Sequence, residues 1–182
     1  MCNRSMAGFT LVELLVSLAV LAVLTAVAVP GLAQLGHQAR MSMLGNQFLG
    51  DLANARSEAI KRGKRVVLCK SADGLACIST GHWSQGWLVF EDTNNNGLRE
   101  TAEMRISVVE AQPPGWTVKG TFSGAHYVSY HPMGLSKLIS GAMQGGTLTI
   151  CRTSAEPTDG LQVVISLAGR PRSQRSTVSN CL

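Results

Sequence analysis

The sequence lacks the residue patterns of an enzyme. Its four histidines show no metal-ligand spacing, and no serine or cysteine stands in a recognisable nucleophile motif. The close pair of C-x-x-C knuckles typical of a zinc site is also missing. These absences predict a protein that is not an enzyme and that needs no cofactor and no resident metal.

Acidic and aromatic residues are scarce towards the C-terminus. Residues 119–182 hold six Lys/Arg against two Asp/Glu, whereas residues 37–118 hold nine against eight, and no aromatic residue follows Tyr130. A basic excess of this kind favours an anionic partner such as nucleic acid, although scattered surface cations give similar totals in ordinary proteins.

The chain has one long hydrophobic run. It extends from Phe9 to Leu35, with Pro30 and Gly31 as its only helix breakers, and at about 1.5 Å per residue it is long enough to cross a bilayer. Glu13 lies in the first turn of this run, where a charge in lipid costs roughly 3 kcal/mol or more. The carboxylate is therefore expected to have a partner.

The segment Gly8–Leu32 resembles the N-terminus of a type IV pilin or pseudopilin. The resemblance implies that a prepilin peptidase cleaves after Gly8 on the cytoplasmic side and that the new amine of Phe9 becomes methylated. It also implies a partner for Glu13, which in such filaments lies close to the N-terminal amine of a neighbouring subunit. Such an ion pair strengthens as its surroundings become apolar.

Two other interpretations of this segment are open. Arg4, the run Leu14–Thr25 and the small residues Ala26-Val27-Ala28 have the form of a secretory signal, but its hydrophobic region gains nothing from an acid at the start. A plain membrane anchor explains the length of the run and leaves Gly8 and Glu13 unexplained.

We therefore predict a leader at residues 1–8, the transmembrane half of a helix at 9–36 and a soluble head at 37–182. A chain of 182 residues with 45% hydrophobic content accommodates one anchor and one globular domain with a real core. The predicted fold class is α+β, with a long N-terminal transmembrane and amphipathic helix packed on a largely antiparallel β-sheet.

Periodicity places the elements of the head. Apolar residues at three- and four-residue spacing mark the amphipathic part of the helix, and they are Leu35, Met41, Leu44, Phe48, Leu52, Ala55 and Ile60. Beyond Gly63, apolar runs between turn-forming residues predict strands at 65–69, 86–91, 104–109, 116–119, 127–131, 147–151 and 161–167.

An even number of cysteines in the head predicts two disulfide bonds. The four residues are Cys69, Cys77, Cys151 and Cys181. Three connectivities are possible, and the pairing of sequence neighbours joins the first to the second and the third to the fourth. Closing the longer loop of about 30 residues contributes on the order of 3 to 4 kcal/mol.

Two internal segments are similar to the FimT/GspH branch of minor pilins and pseudopilins. They are Tyr130–Gly134 and the stretch Gly86–Asp92 with the following Asn94, Asn96, Gly97 and Glu103. In this branch, FimT-type proteins belong to type IV pilus systems and are linked to DNA uptake in transformation. GspH-type proteins belong to the tip region of the type II secretion pseudopilus.

The segment Ala168–Arg175 is similar to the Gly-Arg-x-Arg element with which FimT-type proteins bind DNA. The resemblance implies that Arg170 and Arg172 contact DNA. The chemistry is suitable, because Gly169 permits a tight turn, Pro171 stiffens it, and arginine forks match phosphate oxygens. Without the family element, the same arginines are typical of a polar hairpin turn.

Three more cations are candidates for the same patch, namely Lys137, Arg152 and Arg175. The sequence has no aromatic residue after Tyr130 that could stack on bases beside the arginine element. Duplex DNA held through its phosphates is therefore the predicted ligand. Binding should be independent of base sequence and should weaken steeply with salt.

The stretch Asp92–Gly97 with Glu103 matches the D-x-[DN]-x-[DN]-G-x5-E pattern of a calcium loop. Its flanks are strands rather than helices, and Asn94 and Asn96 stand at positions that could carry acids. We therefore favour a strand-connecting turn built from Asx side chains, with calcium binding as the alternative.

Together these features predict a FimT-like minor pilin with its helix in the inner membrane and its head in the periplasm, reaching the pilus after assembly. Its partners would be DNA, other pilins and the prepilin peptidase. The alternative is a structural GspH-like pseudopilin of a type II secretion system that does not bind DNA.

Overall fold

The computed structural model describes residue 8 and residues 10–122 and 126–182. Its elements are α1 (Leu11–Arg62), β1 (Arg65–Lys70), a 3-10 turn (Trp83–Gln85), β2 (Trp87–Asp92), β3 (Arg105–Val109), β4 (Trp116–Phe122), β5 (Tyr127–Tyr130), β6 (Gly146–Arg152), β7 (Thr158–Ile165) and β8 (Pro171–Val178). The chain divides into two units, one ending at Ala39 and the other comprising Arg40–Leu182.

The first unit contains the apolar part of α1. Its leucine and valine side chains are exposed from Leu11 to Leu35, and α1 is the one helix of the described residues that is long and apolar enough to cross a membrane. Pro30 lies within this helix. Exposed apolar side chains of this extent need an apolar environment, which lipid supplies.

The second unit, which we call the head, places the amphipathic part of α1 against two sheets. The buried helix residues are Met41, Leu44, Gly45, Phe48, Leu52, Ala55 and Ala59. The phenyl ring of Phe48 is fully buried and meets two indole rings edge-on, at 5.4 Å from Trp83 and 5.0 Å from Trp87 between ring centroids. This aromatic cluster joins the helix to the core.

Both sheets are antiparallel and four-stranded. The first has the strand order β3-β2-β1-β5, and the second has the order β4-β6-β7-β8. Helix and sheets share one hydrophobic core, whereas β1 and β2 also bury a smaller cluster on their other face. Burial on both faces explains why Val66, Val67, Leu68 and Cys69 form a continuous apolar run.

Two disulfide bonds lie in the head. Cys69 is bonded to Cys77 with a Cα–Cα distance of 5.6 Å, and Cys151 is bonded to Cys181 with a Cα–Cα distance of 6.1 Å. This is the pairing of sequence neighbours. The second bond connects strand β6 to the end of the chain, beyond β8.

The predicted fold class is confirmed, and all seven predicted strands are present. The prediction missed β8 and the division into two sheets, and it wrongly placed Leu35 and Ile60 on the buried face, since they are 63% and 54% exposed. Strand β8 was missed because its residues, Pro-Arg-Ser-Gln-Arg-Ser-Thr-Val, do not alternate apolar and polar side chains. An edge strand with one exposed side does not require that alternation.

Every buried side chain among the described residues lies between Met41 and Cys181, and both disulfide bonds lie in the same range. A fragment comprising residues 37–182 therefore contains the complete core and is expected to fold on its own.

Two glycines of α1 provide a matched test of helix packing. A methyl group added at Gly45 would lie 2.1 Å from Leu161 Cδ2, whereas one added at Gly50 would meet nothing within 4 Å. We expect Gly50→Ala to raise the free energy of unfolding by about 0.5–1 kcal/mol and Gly45→Ala to lower it by about 1 kcal/mol or more. Urea unfolding of fragment 37–182 measures both, and equal effects would contradict the close helix–sheet contact.

Candidate nucleic-acid interface

The turn between β7 and β8, residues 166–170, presents the predicted arginine element. Gly169 N donates to Ser166 O at 2.8 Å, and Ser166 N donates to Arg170 O at 3.1 Å. The Ser166 hydroxyl accepts a further hydrogen bond from Arg170 N at 3.2 Å. Gly169 has φ +76°, a conformation that glycine adopts at little cost. We call residues 166–170 the hairpin turn.

A second turn, residues 131–135, has the same hydrogen-bond pattern. Gly134 N donates to His131 O at 2.7 Å, and His131 N donates to Leu135 O at 2.9 Å. Gly134 has φ +74°. This is the pattern of a tight loop that ends with a glycine in the left-handed region, and we call it the support turn.

The two turns pack against each other through their glycines. A methyl group added at Gly169 would lie 2.7 Å from Gly134 O, 2.9 Å from Ser136 N and 3.1 Å from Tyr130 Cε1. Gly169 is buried, although both of its chain neighbours are exposed. The support turn therefore fixes the backbone from which Arg170 projects.

The arginines of the element differ in direction. Arg170 leaves the hairpin turn with an exposed side chain, and Arg172 lies opposite Val164 in the sheet register, on the face away from the core. Arg175 lies opposite the buried Leu161. Because successive residues of a strand point to opposite faces, Arg172 and Arg175 do not share a face.

Two more cations lie close to the support turn. Lys137 follows Ser136, whose backbone nitrogen borders Gly169. Arg56 of α1 has its Nε 3.2 Å from where a methyl group on Gly134 would lie. The sequence analysis missed Arg56, although its position four residues after the buried Leu52 places it on the packed face of the helix.

Arg152 does not join this patch. It ends β6 at the side of the sheet away from Gly146, and Gly146 pairs with Ile165 beside the hairpin turn. Six residues at about 3.4 Å each separate Arg152 from that end by roughly 20 Å. The predicted set of five cations is therefore divided by the sheet, with Arg170, Arg172 and Lys137 near the two turns.

The cations at the turns are not neutralised by acids. In the described part of the chain, Arg56, Lys137, Arg170, Arg172 and Arg175 form no ion pair, and the four ion pairs that are present connect other residues. The two acidic residues of the C-terminal region, Glu156 and Asp159, lie towards the opposite end of β7, where Asp159 pairs with Thr177. The positive charge at the turns is therefore available to an external anion.

At the start of α1, Glu13 has a partner within its own chain. Thr10 N and Thr10 Oγ1 donate to Glu13 Oε2 at 2.9 and 3.0 Å, and Glu13 N donates back to Thr10 Oγ1 at 3.2 Å. This is a capping box, which the Thr-x-x-Glu spacing could have predicted. Gly8 is exposed, whereas Phe9 lies outside the described residues.

The calcium-like stretch is a turn closed by its own hydrogen bonds. The two carboxylate oxygens of Asp92 accept from Asn96 N and Gly97 N at 3.1 and 3.0 Å, and burial raises the pKa of Asp92. Glu103 accepts from Thr93 N at 2.8 Å. The side-chain amides of Asn94 and Asn96 both donate to Glu100, at 2.8 and 2.6 Å. These contacts are typical of an Asx-rich turn.

An N-terminal membrane-length helix that continues into an antiparallel head is the architecture of a type IV pilin-like protein. The crystal structure of the type IV minor pilin FimU from Pseudomonas aeruginosa strain PAO1 matches with a TM-score of 0.58 at 17% identity, covering 80% of this chain and 97% of FimU. A second FimU crystal form matches with a TM-score of 0.54, covering 78% and 99%. The minor pseudopilin EpsH of the Vibrio cholerae type 2 secretion system gives a TM-score of 0.49 at 14% identity, covering 74% and 95%.

Two family models match the sequence and assign the chain to a family. The model described as type II transport protein GspH matches residues 44–169, and the model of the prokaryotic N-terminal methylation motif matches residues 3–29. The chain belongs to the GspH family, and it is a membrane-anchored minor pilin or pseudopilin. No curated protein matches its sequence. The family match ends at Gly169, so Arg170 and Arg172 lie just beyond it.

Proposed function

We propose that this minor pilin binds duplex DNA through the hairpin turn and acts in DNA uptake for natural transformation. The observation that carries the proposal is the pair of exposed arginines, Arg170 and Arg172, at a turn that packs on a second turn. Among the described residues, neither arginine pairs with an acidic residue in the sheet or in an ion pair.

Fixed positions make these arginines suitable for a phosphate backbone. Gly169 is held against Gly134, so the chain at Arg170 loses little freedom when a ligand binds. An exposed guanidinium keeps its charge and donates two parallel hydrogen bonds to phosphate oxygens. Lys137 and Arg56 extend the positive surface along the support turn.

Duplex DNA suits this surface better than unpaired bases do. The aromatic ring that borders Gly169 belongs to Tyr130, which is fully buried. It cannot stack on a base, and single-strand binding proteins rely on such stacking. Contacts to phosphates alone are independent of base sequence.

The leader and the membrane part belong to the same proposal. A prepilin peptidase would cleave after Gly8 and the amine of Phe9 would be methylated, leaving residues 9–36 in the inner membrane and residues 37–182 in the periplasm. Assembly with other pilins would then bring the head to the pilus, with Glu13 paired to the N-terminal amine of a neighbouring subunit. The match of residues 3–29 to the methylation motif supports this order of events.

Salt dependence is the direct test of the DNA proposal. With about three phosphate contacts, the affinity of fragment 37–182 for a duplex should fall about 40-fold between 50 and 200 mM salt, as measured by fluorescence anisotropy. Arg170→Gln and Arg172→Gln should each weaken binding about tenfold at low salt and reduce the slope of log K against log salt by about one.

The matched control is Arg152→Gln, which removes the same charge roughly 20 Å from the hairpin turn and should leave DNA affinity nearly unchanged. Equal losses in all three variants would indicate a diffuse charge effect and would contradict a defined interface.

The alternative function is that of a structural pseudopilin in a type II secretion system, which the description of the matching family model favours. A folded wild-type fragment that binds no duplex at low salt would support this alternative. Reduced secretion together with normal transformation in a deletion strain would point the same way.

A further inference from the structure

A cleft beside β4, the edge strand opposite β8 in the second sheet, carries a second concentration of positive charge. It has a volume of about 380 Å³ and lies where the end of β1, the segment 79–83 and strand β4 meet. Strand β4 and strand β8 are the two edges of the second sheet, three strand spacings or about 14 Å apart. The cleft is therefore distinct from the hairpin turn.

Four ionisable side chains line this cleft, and all of them are basic. They are Lys70, Lys119, His82 and His126, and the described residues of the lining include no aspartate or glutamate. The local charge is at least that of two lysines.

Lys70 is the unusual member, because its side chain is buried at 4% exposure. Its ammonium donates to Ser79 O at 3.0 Å and to Gly81 O at 2.9 Å. An ammonium has three donors, and the third N–H has no acceptor among the described residues. Lys70 forms no ion pair within the same set of residues, and burial lowers its pKa.

A buried cation without a counter-ion is costly, because neighbouring carbonyl dipoles replace only part of its hydration. Two neutral hydrogen-bond donors would be enough to hold the carbonyl groups of Ser79 and Gly81, so these two contacts do not account for the full positive charge of an ammonium at this position. The remaining charge is stabilised when an anion enters the cleft, where Lys119 and His82 stand at the rim.

We propose that this cleft binds a small oxyanion of the phosphate class, with Lys70 at its base and Lys119 and His82 at its rim. A phosphate group suits the cleft because its several oxygens accept from donors that approach from different elements, and because its double charge matches two lysines. The ligand is either a free inorganic phosphate species or a phosphate ester, since both present the same group.

The test uses fragment 37–182, titrated with inorganic pyrophosphate and, in a second arm, with glycerol phosphate. Sodium chloride at matched ionic strength is the reference. Backbone amide NMR shifts locate the binding, and thermal unfolding reports the stabilisation that a ligand of the folded state produces. We expect saturable shifts at residues 79–83 and 119–121 with at least one of the two probes, and the tighter probe identifies the source of the phosphate group.

Two variants with opposite expectations control this experiment. Lys119→Met removes a rim charge and should weaken binding about tenfold, whereas the double variant Arg170→Gln/Arg172→Gln should leave cleft binding unchanged. Lys70→Met keeps an apolar stem in place of the ammonium and should abolish binding in a folded fragment. If the Lys70→Met variant fails to fold, the affinity of Lys119→Met decides whether the cleft is the binding site.

The proposal is overturned if neither probe saturates beyond the sodium chloride reference, if Lys119→Met binds as tightly as the wild type, or if the shifts are confined to residues 166–172. The last outcome would attribute phosphate binding to the hairpin turn.

Discussion

Replacing Gly169 with alanine is expected to lower the free energy of unfolding of fragment 37–182 by roughly 2–5 kcal/mol. About 1–2 kcal/mol arises because an alanine is strained at φ +76°. The rest arises because the added methyl group would lie 2.7 Å from Gly134 O and 2.9 Å from Ser136 N, which are backbone atoms that cannot rotate away. Urea unfolding followed by circular dichroism gives the value.

A matched control separates the two causes. Gly141 has φ +89°, and a methyl group added there would meet nothing within 4 Å. Gly141→Ala should therefore show only the conformational penalty of about 1–2 kcal/mol. Under the proposed function, Gly169→Ala should also weaken DNA binding in fragments that remain folded, and Gly141→Ala should not. Equal destabilisation by the two changes would show that the contact between the turns is not restrictive.

Phe48→Ala is expected to have the largest effect of any single truncation in the helix, a loss of about 3–5 kcal/mol. The ring is fully buried and meets Trp83 and Trp87 edge-on, so its removal leaves a cavity between the helix and the sheets. For a head of this size, the midpoint of thermal unfolding should fall by roughly 10–20 °C.

Gln47→Ala is the control for this change, because Gln47 is the adjacent helix residue and is exposed. It should shift the free energy of unfolding by no more than about 0.5 kcal/mol. A loss below about 1 kcal/mol in Phe48→Ala would mean that the core can close around the missing ring, and it would contradict the packing described for the aromatic cluster.

Local sequence patterns were sufficient for much of the fold. The uninterrupted apolar run of α1, its change to three- and four-residue spacing after position 36, and the short apolar runs between turn-forming residues that marked seven strands are all effects of neighbours within one element. The membrane-anchored pilin class followed from the Gly8–Leu32 segment, and the family match confirms it. Strand β8 was the one strand of the described residues that these patterns did not predict, because an edge strand with an exposed face requires no alternation of apolar and polar residues.

The composition of the candidate site depended on tertiary structure. Arg172 lies two residues after the hairpin turn in the sequence, whereas only the strand order and register show that Arg152 lies far from this turn. Arg56 enters through a contact between α1 and Gly134, some 80 positions away in sequence.

The sequence by itself thus determined the membrane helix, seven of the eight strands and the presence of an arginine-bearing turn, because each depends on residues within one short segment. The tertiary structure decided which cations share a surface, that Gly169 packs on Gly134, and that Lys70 is buried without an acid among the described residues. These properties depend on distances between segments that are remote in sequence, and periodicity contains no information about such distances.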